Sequence, residues 1–229
     1  MPVYNEEQVI ESTVLGWLEA LRAVKSTFSL QVYNDGSRDG SLSVLTRLAA
    51  DNSELSVHDK ENSGHGPTIL AGYRENSEAE WIFQTDSDQE LSPGDFSKLW
   101  DRRRDFDFLI GRRHQRRQPP GRRLLSMLSR AAVRWLYGRG LFDVNSPYRL
   151  MRAAAFAPYF DLLPDDTFAP NVILSGVACR QGLRIIEVSI PHSAAHAGRS
   201  GFDASLLKLA ATALRSFKQT LDFRRRYGG

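Results

Sequence analysis

The sequence holds one cysteine, Cys179, in 229 residues, which excludes an intrachain disulfide and fits a reducing compartment. Cys179 lies in the helix-like run NVILSGVACRQG, where a small buried thiol is the expectation and a nucleophile is not. Nowhere does an apolar run approach the roughly eighteen residues of a membrane-spanning helix. The opening MPVYNEEQ lacks the charged-then-apolar pattern of a secretory signal. These absences lead to the expectation of a cytoplasmic protein. Cysteine and histidine spacings for zinc are absent too. Without internal repeats or low-complexity linkers, the chain reads as one globular domain with at most a small appendage. Net charge is only +3, yet it is unevenly spread. Between Arg102 and Arg139 stand twelve arginines and two acids, and the remainder is mildly acidic. Such a basic segment suits anionic ligands, a phospholipid surface or nucleic acid. It lacks the interleaved aromatics of a base-stacking platform, so nucleic acid is not an expected partner.

What is present is an alternation of periodicities. Residues 7–24 carry Val9, Ile10, Val14, Leu18, Leu21 and Val24 at helical spacing. FSLQVYNDGS predicts a strand broken by its Asn-Asp-Gly-Ser turn. SLSVLTRLAAD predicts a helix, LSVHDKENSGHG a strand and glycine-bearing loop, and PTILAGYRENS a helix with Pro67 in its first turn. EWIFQTDSD predicts another strand. Helix and strand in alternation imply an α/β fold, a mostly parallel sheet flanked by helices, with ligands bound beyond the carboxyl ends of the strands. The clusters NDGSRDGS, NSGHG and TDSDQE fall at those ends. Only PVY precedes the first helix, so the first strand reads as clipped. Further on, FDFLIGRR predicts a strand and residues 122–139 an arginine-faced helix. DVNSPYRLMRAAAF predicts a turn or strand running into a helix, and APNVILSGVACRQG a helix ended by Gly182. LRIIEVSIP predicts a last strand, and a long amphipathic helix capped by Asp203 follows.

The stretch QTDSDQE ends an apolar strand in three carboxylates, Asp86, Asp88 and Glu90. Their mutual repulsion is unfavourable unless a cation or donor groups offset it. Oxygen ligands of this kind suit Mg²⁺ or Mn²⁺, which accept a couple of carboxylates and complete their shell with phosphate oxygens and water. A solvent-facing acidic turn capping the next element explains the local pattern equally well.

Taken in order, PVYNEE, NDGSRDGS, NSGHGPTILAGY, TDSDQE, IGRR, DVNSPYRLMR and RIIEVSIPHSAAHAGRSGF resemble the motifs of family-two inverting glycosyltransferases of the GT-A fold. The chain looks most similar to the dolichyl-phosphate mannose synthase and polyprenyl-phosphate glycosyltransferase group, from Met1 to Phe202. The resemblance implies a GT-A domain over residues 1–202, with a nucleotide-sugar half at 1–100 and an acceptor half at 101–202. A C-terminal amphipathic helix and basic tail would occupy 203–229. It places Pro2, Tyr4 and Glu6 against the nucleoside of a nucleotide-diphosphate sugar, and Asp35 on its base. Asn34 stands for a commoner aspartate, and His65 for a commoner lysine near the phosphates. Asp86 and Asp88 would hold the Mg²⁺ or Mn²⁺ on the diphosphate, with Asp88 counted among the catalytic residues and Glu90 a third ligand.

Arg113 and Arg149 fall on basic positions near the reacting phosphates of the polyprenyl-phosphate branch. A phosphate acceptor is already ionised and needs orienting arginines more than a base. A hydroxyl acceptor needs a base, and Asp165 and Asp166 are the candidates. Pro147 and Ala195 depart from the family pattern, and no membrane helices follow. Three functions stay open: sugar transfer to a polyprenyl phosphate, transfer to a saccharide or small-molecule hydroxyl, and a silent nucleotide-binding module. Peripheral contact with the inner face of a membrane and a homodimer are compatible with the basic and amphipathic helices.

Overall fold

Leu30, Val32 and Tyr33 leave little polar surface on either side of their segment, and residues 30–35 form an interior strand, β2 (Leu30–Asp35). It lies between β1 (Pro2–Val3) and β3 (Leu55–Lys60), all three parallel. Helices α1 (Ile10–Ala23) and α2 (Ser41–Asp51) make the crossovers. Helix α3 (His65–Glu75) then leads to β4 (Trp81–Gln84). The computed structural model describes residues 1–114, 120–138, 141–191 and 206–227.

The second half adds a short helix, α4 (Ser97–Trp100), then β5 (Phe108–His114) and α5 (Pro120–Tyr137). It continues with β6 (Arg149–Arg152), α6 (Ala153–Phe160), α7 (Pro170–Arg180), β7 (Ile185–Pro191) and α8 (Leu206–Tyr227). The order in this sheet is β4-β6-β5-β7; β5 and β7 are parallel, and β6 runs against both neighbours. The expected parallel sheet flanked by helices is present, with β6 as its antiparallel exception. One apolar core gathers Phe108, Met151, Phe156 and Phe160 beneath α3, α5 and α7. The other gathers Val14, Trp17, Val32 and Tyr148 beneath α1.

The first strand is present but short. Pro2 and Val3 pair with Tyr33 and Asn34, and no ladder joins β1 to β4 among the described residues. The sheet is therefore divided, and a cavity of about 460 Å³ lies between the halves, lined by Pro2, Gln31 and Tyr33 on one side and Trp81, Phe83 and Thr85 on the other. Helix α3 begins two residues before Pro67 because Gly64, at φ 94°, turns the chain sharply out of the loop. The short α4 was not expected. The C-terminal half of α8 is integral to the fold, since Phe223 and Thr220 are buried and Phe223 joins the core of α5 and α7. Asp203, the Gly-x-Ser segment, Ala195, Arg139 and the boundary at 202/203 lie outside the described residues.

Candidate active site

Two strand ends and one helix start build the site. At the end of β2, Asp35 is almost fully buried. Its Oδ1 accepts from Lys60 Nζ and from the Ser63 N–H (2.9 Å), and its Oδ2 accepts from the Gly64 N–H (2.9 Å). Burial raises the Asp35 pKa, but Lys60, Ser63, Thr68 and Gly64 outweigh it and hold the carboxyl below its ordinary value. Gly64 is followed by His65, whose Nε2 lies 3.0 Å from Asp86 Oδ1 at the end of β4. Asp35 and Asp86 are thus tied to adjacent residues of one loop.

Asp86 is held from behind as well, since Gln84 Nε2 donates to its Oδ1 at 3.3 Å. Gln84 is itself buried, accepting from the Tyr73 hydroxyl and the Asn171 amide, both at 2.8 Å. Asp88 Oδ1 accepts the Glu90 N–H at 3.0 Å, which curls the chain after the strand. Burial, then the Asp86, Glu90 and Glu6 carboxylates, push Asp88 up to about 7. Burial also pushes Asp86 upward, but His65, Arg113 and the chain's amino group prevail and hold it below the usual range. For His65, burial lowers the pKa, but the fields of Asp86, Asp88 and Asp35 outweigh it, so the net shift is upward. The imidazole is 59% exposed, which moderates that shift. Hydrogen bonds thus bring Asp35, the 63–65 turn and Asp86 together beyond the strand ends, with Asp88 and Glu90 in the turn that follows. Asp86, Asp88 and Glu90 are each half-buried, so the acidic turn is not freely solvated.

No described group of three His, Cys, Asp or Glu side chains forms a complete metal cage. Magnesium and manganese do not need one; they bind through one or two carboxylates and take the rest from substrate phosphates and water. The Asp86–Asp88–Glu90 turn fits that requirement, because its crowded carboxylates disfavour one another's charge and a divalent ion would offset that repulsion.

The loop after β1 is knitted to the turn after β2. Asn5, at φ 55°, accepts the Arg38 N–H through Oδ1 (2.8 Å), and Glu6 N–H donates to Ser41 Oγ (2.9 Å). Pro2 is buried in β1, and Tyr4 is 45% exposed beside it. At the end of β5, Arg113 donates from Nε and Nη2 to Asp143 at 2.7 and 2.8 Å. Burial opposes its charge, but Asp143, Asp86 and Glu90 prevail and raise its pKa. Arg113 thus lies at the same end of the sheet as Asp86.

Three expectations meet a different geometry. Arg149 is fully buried, and its Nε, Nη1 and Nη2 donate to the carbonyls of Ser146, Asn171 and Val144 at 2.9–3.1 Å. It holds backbone, and its guanidinium is not presented to a ligand. Asp165 is 92% exposed and pairs with Arg74 in the last turn of α3, roughly 13 Å along that helix from His65 at 1.5 Å rise per residue. Asp166 is 71% exposed and pairs with Arg215 of α8. The two aspartates expected as bases are thus exposed and engaged in ion pairs with Arg74 and Arg215. Lys60 and Gln84 belong to the site and were not anticipated. Gln84 was detectable as a polar residue closing an apolar strand, and Lys60 as a cation just before NSG.

The divided α/β sheet, with its acids beyond the strand ends, defines the fold class of GT-A nucleotide-sugar transferases. Residues 1–160 match Glycosyl transferase family 2, and the chain belongs to that family. Among sequence relatives, the undecaprenyl-phosphate 4-deoxy-4-formamido-L-arabinose transferase of Proteus mirabilis is 25% identical over 212 residues, covering 91% of this chain and 63% of that protein. The protein of the same name from Pseudomonas paraeruginosa is 27% identical over 210 residues, covering 90% of this chain and 60% of the relative. The chain spans less than two thirds of the length of these relatives. In fold it is similar to glucosyl-3-phosphoglycerate synthase from Mycobacterium tuberculosis, solved with Mn²⁺, UDP-glucose and phosphoglyceric acid (TM-score 0.64, 17% identity, 97% of this chain and 77% of that one). It is also similar to a mannosyltransferase from Pyrobaculum calidifontis solved with GDP-mannose and Mn²⁺ (TM-score 0.58, 15% identity, 100% and 74%).

Proposed function

We propose that this chain transfers a sugar, with inversion, from a nucleotide-diphosphate donor to a polyprenyl phosphate, aided by Mg²⁺ or Mn²⁺. The observation that carries this reading is the convergence of Asp35, Asp86 and Asp88 on one crevice with Arg113 beside them. In this reading Pro2, Tyr4 and Glu6 border the nucleoside, and Asp35, which also holds the 60–64 loop, stands toward its base. Asp86 and Asp88 would hold the metal, with Glu90 near, and the bound ion would neutralise the charge that grows on the departing nucleoside diphosphate. His65, at the start of α3, adds a further donor on the phosphate side. Arg113 orients an ionised phosphate, so no protein base is required. The exposed, ion-paired positions of Asp165 and Asp166 favour this acceptor over a hydroxyl.

The acceptor reading has a second support. Trp135, Leu214, Met127 and Leu128 are 49–70% exposed on α5 and α8, beside an apolar groove of about 500 Å³. Arg130 and Arg134 lie on the same helix α5. Apolar side chains among cations suit the surface of an anionic bilayer, where a polyprenyl phosphate resides.

The test is nucleotide-diphosphate release from UDP- and GDP-sugars with Mn²⁺ and a short polyprenyl phosphate. Release from the wild type and its loss in Asp88→Ala is the expected result. Release no greater than in that variant defeats the proposal. Nucleotide binding without turnover or metal dependence would favour a silent binding module.

A further inference from the structure

We propose that Asp143 and Glu187 are positioning residues that aim Arg113 at a phosphate group in the crevice; this rests on the transferase reading above. Arg113 meets Asp143 in a fork: Nε donates to Oδ2 and Nη2 to Oδ1. Two parallel bonds fix the plane of the guanidinium, where one would leave it free to swing. The pair is shielded, with side chains only 9% and 18% exposed, so it is unlike the surface ion pairs of Arg74 and Arg215.

The fork leaves one edge of Arg113 unused. Its Nη1 makes no hydrogen bond among the described residues, and the Tyr137 hydroxyl is the one described buried polar atom left unpaired. Nη1 therefore opens on accessible space. Gln84 of β4 and Ile110 of β5 are both in register with Arg149 of the antiparallel β6, so Asp86 and Arg113 leave the sheet at the same end. A planar cation with one edge clamped and the other open is suited to a phosphate oxyanion.

Asp143 is itself anchored. The Asp143 N–H donates to Glu187 Oε1 at 3.0 Å, and the Phe142 N–H donates to both Glu187 oxygens at 2.9 and 3.0 Å. Glu187 stands on β7 in register with Ile110 of β5, the strand that carries Arg113. The sheet thus holds Glu187, Glu187 holds the 142–143 turn, Asp143 holds Arg113, and Arg113 stands at the sheet end that carries the acids. By accepting two backbone N–H groups of the turn, the Glu187 carboxylate locates the clamp relative to β5.

The phosphate could belong to the donor or to the acceptor, and the experiment separates them. The full chain and the variants Arg113→Ala, Asp143→Asn, Glu187→Gln and Arg113→Ala/Asp143→Asn are compared with Mn²⁺ present. Calorimetry gives Kd for UDP, GDP and inorganic pyrophosphate, and initial rates give KM for a ten-carbon prenyl phosphate. Asp143→Asn is expected to weaken one of these by roughly tenfold or more, as misplaced positioning groups do. Weakening in the Kd arm assigns the donor diphosphate; weakening in the KM arm assigns the acceptor. Glu187→Gln should act in the same direction and less strongly. In the Arg113→Ala background Asp143→Asn should add nothing, the non-additivity that a merely structural role would not produce.

An equal Asp143→Asn effect with and without Arg113, or no effect in either arm, overturns the inference. Should Asp143→Asn fail to fold, Arg113→Lys keeps the charge and loses the fork; an unchanged Kd and KM in that variant overturn it equally. A wild type that binds nucleotide but releases none sinks the transferase reading while the Kd arm still decides on the clamp. A wild type that binds none of the three probes defeats both.

Discussion

Arg149 has no described carboxylate in hydrogen-bonding contact, and burial lowers its pKa. Its charge is offset by three backbone carbonyls and by the face of Phe108, 5.6 Å away. One of those carbonyls belongs to Asn171, whose side chain reaches Gln84 and through it Asp86. Arg149 therefore supports the acid cluster from below. Arg149→Lys cannot reach three divergent acceptors with one ammonium, and it leaves buried carbonyls unpaired. The expected loss is about 3 kcal/mol of stability, or roughly 6–12 °C in Tm for a chain of this size. Thermal unfolding checks this; a Tm within two degrees of wild type would mean that the carbonyls are satisfied otherwise. Sequence reading found both arginines but not their difference, because burial is not visible in an isolated Arg.

The element that decides the site is α3. Its first turn supplies His65, the loop before it supplies the N–H groups on Asp35, and its last turn holds Arg74 against Asp165. Gly66 lies where this helix touches the carbonyl oxygens of Thr167 and Phe168, and a Cβ there would collide with both. Gly66→Ala is expected to lift the start of α3, lengthening the His65–Asp86 contact. Overpacking of this kind costs about 1–3 kcal/mol, and nucleotide binding with Mn²⁺ should weaken by roughly tenfold. Gly16→Ala in α1 serves as the contrast, since its Cβ would make only an ordinary 3.6 Å contact with Pro93. There, a neutral or slightly stabilising effect of up to about 1 kcal/mol is expected. If both variants bind nucleotide as the wild type does, the α3 start is not the hinge of the site. NSGHG was readable as a loop at a strand end; the carbonyls opposing Gly66 come from a segment a hundred residues away.

At the scale of the molecule, the described helices include none long and apolar enough to cross a membrane, yet α5 and α8 leave Trp135 and Leu214 about two-thirds exposed. Trp135 stacks on Phe217 at 6.5 Å, so the two helices present a joint apolar face. The full chain is expected to float with vesicles containing phosphatidylglycerol and not with pure phosphatidylcholine. Trp135→Ala/Leu214→Ala should reduce that binding by tenfold or more, from about 1.5–3 kcal/mol per buried side chain. Retention on neither vesicle type would remove the membrane from the functional reading.

The alternation of strands and helices, the three polar clusters at strand ends and the paired acids at 86 and 88 were determined by sequence alone. Each is local: hydrophobic period, turn residues and short spacing act within a few positions. The tertiary structure decided that β6 runs antiparallel, that Arg149 is interior while Arg113 is clamped, and that Asp165 and Asp166 are held in exposed ion pairs. Those outcomes depend on which distant segments pack together, and burial, not residue type, then set whether a charge could meet a ligand.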